Sequence, residues 1–161
     1  MSIELVWVDF NQPEQAAQLV ALLDAYAREE AGGGEPLSEE VKTHLPSRLA
    51  KLSYAHSLLA YVDGVPAGLI NCMEGFSSFQ ARPLLNLHDV VVLPAFRGQG
   101  LIQTMLAEVE AQAQRLGCCK LTLEVLSGNA RAQGAYRRAG YAGYELDPAM
   151  GQALFWQKKL A

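Results

Sequence analysis

The stretch Val90–Leu106, VVVLPAFRGQGLIQTML, decides how this chain is read. Four aliphatic residues, Val90 to Leu93, end at Pro94. Arg97, Gly98, Gln99 and Gly100 follow. Then Leu101, Met105, Val109 and Ala113 recur every four residues, the stripe of an amphipathic helix. The pattern predicts a centrally buried strand, a tight turn, and a helix from about Gln99 to Leu116 that Gly117 ends. A helix N-terminus leaves about four backbone N–H groups unpaired and carries roughly half a positive charge. Gly98 and Gly100 remove two side chains from in front of those groups. Arg97 adds a forked set of donors suited to phosphate. The six residues Arg97, Gly98, Gln99, Gly100, Leu101 and Ile102 therefore read as a pyrophosphate cradle. On the glycines alone, a tight turn with a solvated arginine reads equally well. The spacing is not that of a Walker loop, because no Gly-Lys-Ser/Thr follows, nor that of the dinucleotide fingerprint.

Upstream, IELVWVD alternates and predicts an opening strand. Asn11 is the expected N-cap of a first helix, with Pro13 in its first turn and Leu19, Leu22, Leu23 and Tyr26 inward. Gly32, Gly33, Gly34 and Pro36 stop it. Ser38 caps a second helix with a stripe of Val41, Leu45, Leu49 and Leu52, which Pro46 should kink or divide. Asp63-Gly64 marks a hairpin between two strand-like runs, and Pro66 suggests an edge or a strand start. LLNLHDVVVL is the strand that leads into the cradle. Downstream, CKLTLEVL reads as a strand, Asn129 caps a helix that closes near Gly140, and YAGYEL and ALFWQKKL read as two last strands. The expectation is a mixed α/β domain over residues 1–161, with about seven strands, mostly antiparallel, and helices on both faces.

Composition narrows the function. The 161 residues fit one domain, and half are apolar. No apolar run approaches the roughly 20 residues that cross a membrane, and the N-terminus lacks a signal-peptide pattern. A net charge of −4 without a basic stretch argues against a nucleic-acid partner. Cys72, Cys118 and Cys119 make a poor disulfide framework and read as apolar strand residues in a reducing compartment, so a cytoplasmic location is expected. Neither they nor His44, His56 and His88 suggest a metal. Phe155 and Trp156 in the last strand fit burial in the sheet, or a partner surface such as a homodimer.

VVVLPAFRGQGL resembles the cofactor motif of the GCN5-related N-acetyltransferases: Arg/Gln, two residues, Gly, one residue, Gly/Ala. Arg97 and Gly100 fill its first two fixed positions, and Pro94 also matches. Ile102 departs from the last Gly/Ala. NARAQGAYRRAGY resembles the family's second signature, with Asn129, Tyr136, Gly140 and Tyr141 in place. The order of elements agrees from end to end.

The resemblance implies that acetyl passes from acetyl-CoA to a primary amine of a small molecule by direct attack, without a metal. It implies backbone donors for the thioester oxyanion, and pairing with the pantetheine arm, from Val90, Val91 and Val92. It makes Tyr136 the acid for the leaving thiolate and gives Asn129 a part in placing the cofactor. The alternatives are an acyl-CoA sensing module without turnover, which Ile102 keeps open, and an enzyme acting on protein N-termini or lysines. The amine itself poses a physical problem. With a pKa near 10.4, about one molecule in a thousand or fewer is neutral at pH 7, and deprotonation costs roughly 4 kcal/mol. His88 is the first candidate acceptor. Asp89 and Glu124 are the others, and both are candidate substrate contacts. In the polyamine-acetylating branch of the family a carboxylate followed by an aspartate stands at the 88–89 position. Asp89 matches the second of these, while His88 replaces the first.

Overall fold

Asp63 and Gly64 take φ angles of +49° and +80°, the left-handed pair that a type I′ turn needs. They fold Ala55–Val62 (β2) back on Val65–Ser77 (β3). The computed structural model describes residues 1–144 and 146–160. Contacts gather into two units, 1–123 and 124–161. The first unit holds a five-stranded sheet in which neighbours in sequence are neighbours in space. Ile3–Trp7 (β1) pairs with β2, β2 with β3, and β3 with Arg82–Val92 (β4), all antiparallel. Leu121–Leu123 (β5) pairs parallel to β4. Pro66 lies at the start of β3, where the pairing with β2 shifts register between Ala60 and Tyr61.

Helices cover both faces. Pro13–Arg28 (α1) and Glu39–Leu49 (α2) bury Leu19, Leu22 and Leu49 against Ala55, Leu59, Leu69 and Val91. Leu101–Arg115 (α3) packs on the opposite face with Leu101, Met105, Val109 and Ala113 buried, so the four-residue stripe is the packing stripe. Trp7 ties β1 to α3 by donating from Nε1 to Glu108 (2.9 Å).

Helix starts follow local chemistry. Proline lacks an N–H and is preset for the first helical position, and the residue before it prefers extended backbone. The cap of α1 therefore falls on Gln12 rather than the expected Asn11, and its Oε1 accepts from Gln15 N at 2.7 Å. Gln12→Ala should lower stability by about 1 kcal/mol in urea denaturation. An unchanged midpoint would mean that Pro13 alone sets the start. Ser38 caps α2 as expected, but Pro46 does not divide it: the helix runs on to Leu49.

The second unit holds Ala130–Arg138 (α4), capped by Asn129 and followed by Gly140 at φ +95°. Here the expectation of about seven strands is corrected: the described residues form five. Glu145, inside the first predicted strand of this region, lies outside the described residues. Among the described residues, 141–144 and 153–160 form no strand. Alternating sequence needs a paired neighbour to become a strand. Instead a turn at Asp147–Met150 intervenes, and the arms meet where Ala153 N donates to Tyr144 O at 3.3 Å. Phe155 and Trp156 are 70% and 83% exposed, not buried in the sheet. No helix among the described residues is long and apolar enough to cross a membrane.

Candidate active site

The sheet changes phase at His88. Asn71 of β3 pairs with Asp89, but the next residue, Cys72, pairs with Leu87, so His88 is the extra residue of a β-bulge. Before the bulge, the buried side chains are Leu85 and Leu87. Beyond it, Val91 packs into the α1–α2 core. The pairing of β4 with β5 runs from Leu85↔Leu121 to Leu87↔Leu123 and ends at the same bulge. Val90, Val91 and Val92 continue β4 past that ladder while still paired to β3 on their other side. A strand that leaves its neighbour in this way exposes a backbone edge that an extended ligand can join. The parting also explains why β5 is shorter than predicted. Glu124 falls beyond it in an exposed position, and Val125 and Leu126 are exposed too.

β4 ends at the cradle turn. A short 3₁₀ turn, Pro94–Phe96, leads to Gly98 and Gly100 at φ +75° and +82°. Other L residues pay about 1–2 kcal/mol there. A Cβ at either position would meet nothing within 4 Å, so backbone conformation and an open approach, not crowding, call for glycine. The opening of α3 differs from those of the other α-helices. Gln12, Ser38 and Asn129 each cap a helix through a side chain, whereas Gly100 offers none to α3. A helix start with open space in front and no side-chain acceptor of its own fits an anionic group such as a pyrophosphate. Ile102 is half-buried in the first turn of α3.

Arg97 is engaged within the protein: Nε donates to Val92 O (2.9 Å), and Nη2 reaches both carboxylate oxygens of Glu29 at 2.7 and 2.8 Å. Glu29 follows the last turn of α1 in extended backbone, which aims it at the turn. The arginine charge is thus balanced within the protein.

A polar line crosses the sheet on the α1–α2 face. Ser57, Asn71 and Asp89 stand opposite one another on β2, β3 and β4. Ser57 Oγ donates to Asn71 Oδ1 (2.6 Å), and Asn71 Nδ2 donates to Asp89 (3.1 Å). Tyr26 of α1 faces this end of β4. Burial, and then the charges of Asp89 and Glu29, raise its phenol above the usual value. His88 itself is exposed.

In the second unit, Asn129 Oδ1 accepts from Ala132 N at 3.2 Å. The ring of Tyr136 is buried and meets Tyr141 edge-on, with centroids 6.0 Å apart. The cysteines are free, and burial pushes the Cys72 thiol up to about 12, which keeps it protonated. Among the described residues, no group of three or more His, Cys, Asp or Glu side chains is arranged to hold a metal. Sequence reasoning missed Ser57, Asn71, Tyr26 and Glu29. The signal for the first two was a polar residue set in each of two otherwise apolar strands.

A mixed sheet with helices on both faces, a fourth strand that runs on past its neighbour and a glycine turn opening a helix make up the frame of the site. The sequence profile of the Acetyltransferase (GNAT) family matches residues 16–141, and the chain belongs to that family. Streptothricin acetyltransferase of Streptomyces lavendulae is 38% identical over 90 residues, which span 56% of this chain and 46% of that protein. This chain therefore spans about half of that relative's length. Thialysine N-epsilon-acetyltransferase of Bos taurus is 31% identical over 120 residues, 66% of this chain and 69% of that protein. Among solved structures, an aminoglycoside acetyltransferase from an uncultured soil metagenomic sample, in complex with sisomicin, superposes with a TM-score of 0.80. It is 14% identical, and the match covers 99% of this chain and 97% of that one. The aminoglycoside N-acetyltransferase AAC(6')-Iy in complex with CoA superposes with a TM-score of 0.74, at 18% identity over 99% of this chain and 96% of that one.

Proposed function

We propose that residues 1–161 form a single N-acetyltransferase domain that moves acetyl from acetyl-CoA to a primary amine of a small cationic molecule. The observation that carries this reading is the opening of α3, uncapped by any side chain and preceded by two left-handed glycines with open space beside them. The family match, which runs across the junction of the two units, supports the single domain. The relatives named for acetylating streptothricin and thialysine, and the sisomicin complex, support a small amine acceptor.

Bound acetyl-CoA supplies the activated acetyl thioester. The backbone amides of Gly98, Gln99, Gly100, Leu101 and Ile102 hold its diphosphate, and Arg97, which braces the turn, adds its positive charge beside them. Val90, Val91 and Val92 offer backbone groups to the pantetheine arm and to the developing oxyanion, where preorganised donors are most valuable. Asn129 helps to place the cofactor, and Tyr136 protonates the departing thiolate. Asp89, the carboxylate beside Tyr26 that no arginine neutralises, makes the acceptor side anionic and favours an ammonium substrate. His88, exposed at the bulge, takes the proton from the bound ammonium. Glu124 is the reserve acceptor and a second contact for the amine.

The test is a panel of small mono- and polycationic amines, read as CoA release with purified protein. Release with polycationic amines is expected. A protein that binds CoA but releases none with any amine or with lysine peptides would instead be a sensing module. On an accepted amine, kcat/KM should rise with pH across the neutral range, because the proton acceptor must be unprotonated to act. His88→Ala should flatten that limb without weakening CoA binding. If the limb and its height persist, His88 has no part in proton removal, and Glu124→Gln is the next variant.

A further inference from the structure

Two uncharged polar side chains lie under Asp89 in the sheet core. Ser57 is 2% exposed and Asn71 4%. Both face the α1–α2 layer, among Ala55, Leu59, Leu69 and Val91. Burying polar groups there is unfavourable unless each finds a partner, and here each does. An asparagine amide has an accepting and a donating end. The Ser57 hydroxyl, 2.6 Å from Asn71 Oδ1, occupies the accepting end. That fixes the amide so that Nδ2, not Oδ1, meets the carboxylate of Asp89 at 3.1 Å. The reverse orientation would set a carbonyl oxygen against a carboxylate. The bulge at His88 completes the line, because it brings Asp89 into register with Asn71 and onto the α1–α2 face.

We propose that Asn71, oriented by Ser57, is a positioning residue that fixes Asp89 to receive the ammonium group of the substrate. This rests on the acetyl-transfer reading. One carboxylate oxygen of Asp89 is occupied by the sheet, and its other lone pairs are left to a ligand. A carboxylate held in one rotamer loses less freedom on binding a cation, so the amine is gripped in a repeatable place. The titratable groups on the surrounding elements are Tyr26 and Glu29 from α1 and its cap, Arg97 paired with Glu29, and His88 next in the chain.

Three variants test this. Asn71→Asp keeps the shape and the acceptor for Ser57, but replaces the donor with a like charge. Ser57→Ala releases the amide orientation. Ser57→Ala combined with Asn71→Leu removes both polar partners together, which leaves neither unsatisfied and guards against misfolding. With an accepted amine, Asn71→Asp should raise KM about tenfold or more and lower kcat by less, while CoA affinity stays within about twofold. Ser57→Ala should move KM in the same direction by less. Adding the apolar pair to Asp89→Asn should cost nothing further, because the pair acts only through Asp89. A parallel measurement needs no turnover. Carbon-13 NMR of aspartate carboxyls, with the Asp89 signal assigned by its loss in Asp89→Asn, should show a higher titration midpoint in Asn71→Asp and in the apolar pair. Unmoved midpoints, or losses that add to that of Asp89→Asn, overturn the proposal. A wild-type protein that acetylates no amine overturns the transfer reading instead, and the NMR midpoints still decide whether Asn71 governs Asp89.

Discussion

Titration of coenzyme A into the wild-type protein should give clear binding heat, and titration into Gly100→Glu should give none. Two effects combine at this position. The residue has φ +82°, so any side chain other than glycine costs about 1–2 kcal/mol of backbone strain. A carboxylate is then added at the mouth of a helix that has no side-chain cap of its own. It would neutralise the free amides and repel the phosphates together. Gly100→Ala separates the two, because its Cβ meets nothing within 4 Å. The alanine variant should bind several-fold more weakly, while the glutamate variant, folded by circular dichroism, should not bind. A folded glutamate variant with wild-type affinity would remove the cradle from the proposed function.

Tyr136→Phe should lower kcat about a hundredfold and leave the affinity for acetyl-CoA near that of wild type. General acids contribute about 10²–10⁴-fold. The lower end applies here because a thiolate of pKa near 8.5 leaves with little help. The substitution keeps the ring and its edge contact with Tyr141, so packing in the second unit is retained. The separation of kcat from affinity is the decisive readout, since a general loosening would weaken both. If the phenylalanine enzyme turns over like wild type across the pH range, Tyr136 serves only to pack α4, and the leaving group departs as the free thiolate.

The parts of this protein with a local cause were legible in the sequence. The Asp63-Gly64 turn, the stripe of α3, the caps at Ser38 and Asn129, and the strand into the glycine turn all follow from residues a few positions apart. What was not legible depends on partners far along the chain. Val90, Val91 and Val92 look alike, so nothing in them reveals that β4 changes phase at His88. Without that change, Asn71 has no visible reason to meet Asp89, and β5 has no reason to stop at Leu123. The ion pair of Arg97 was hidden for a related cause: its partner Glu29 lies 68 residues earlier, beyond any local pattern. The segment 153–160 errs the other way. Its alternation is strand-like, but no adjacent strand takes it up among the described residues.

The Arg97–Glu29 pair also has a thermodynamic consequence. It fastens the end of α1, which carries Tyr26 toward Asp89, to the turn that opens α3. Linkage is reciprocal: if an amine draws Glu29 toward itself and changes the affinity for CoA by some factor, CoA changes the affinity for that amine by the same factor. The two ligands would then report on each other through one ion pair. Glu29→Gln would uncouple them while leaving each able to bind.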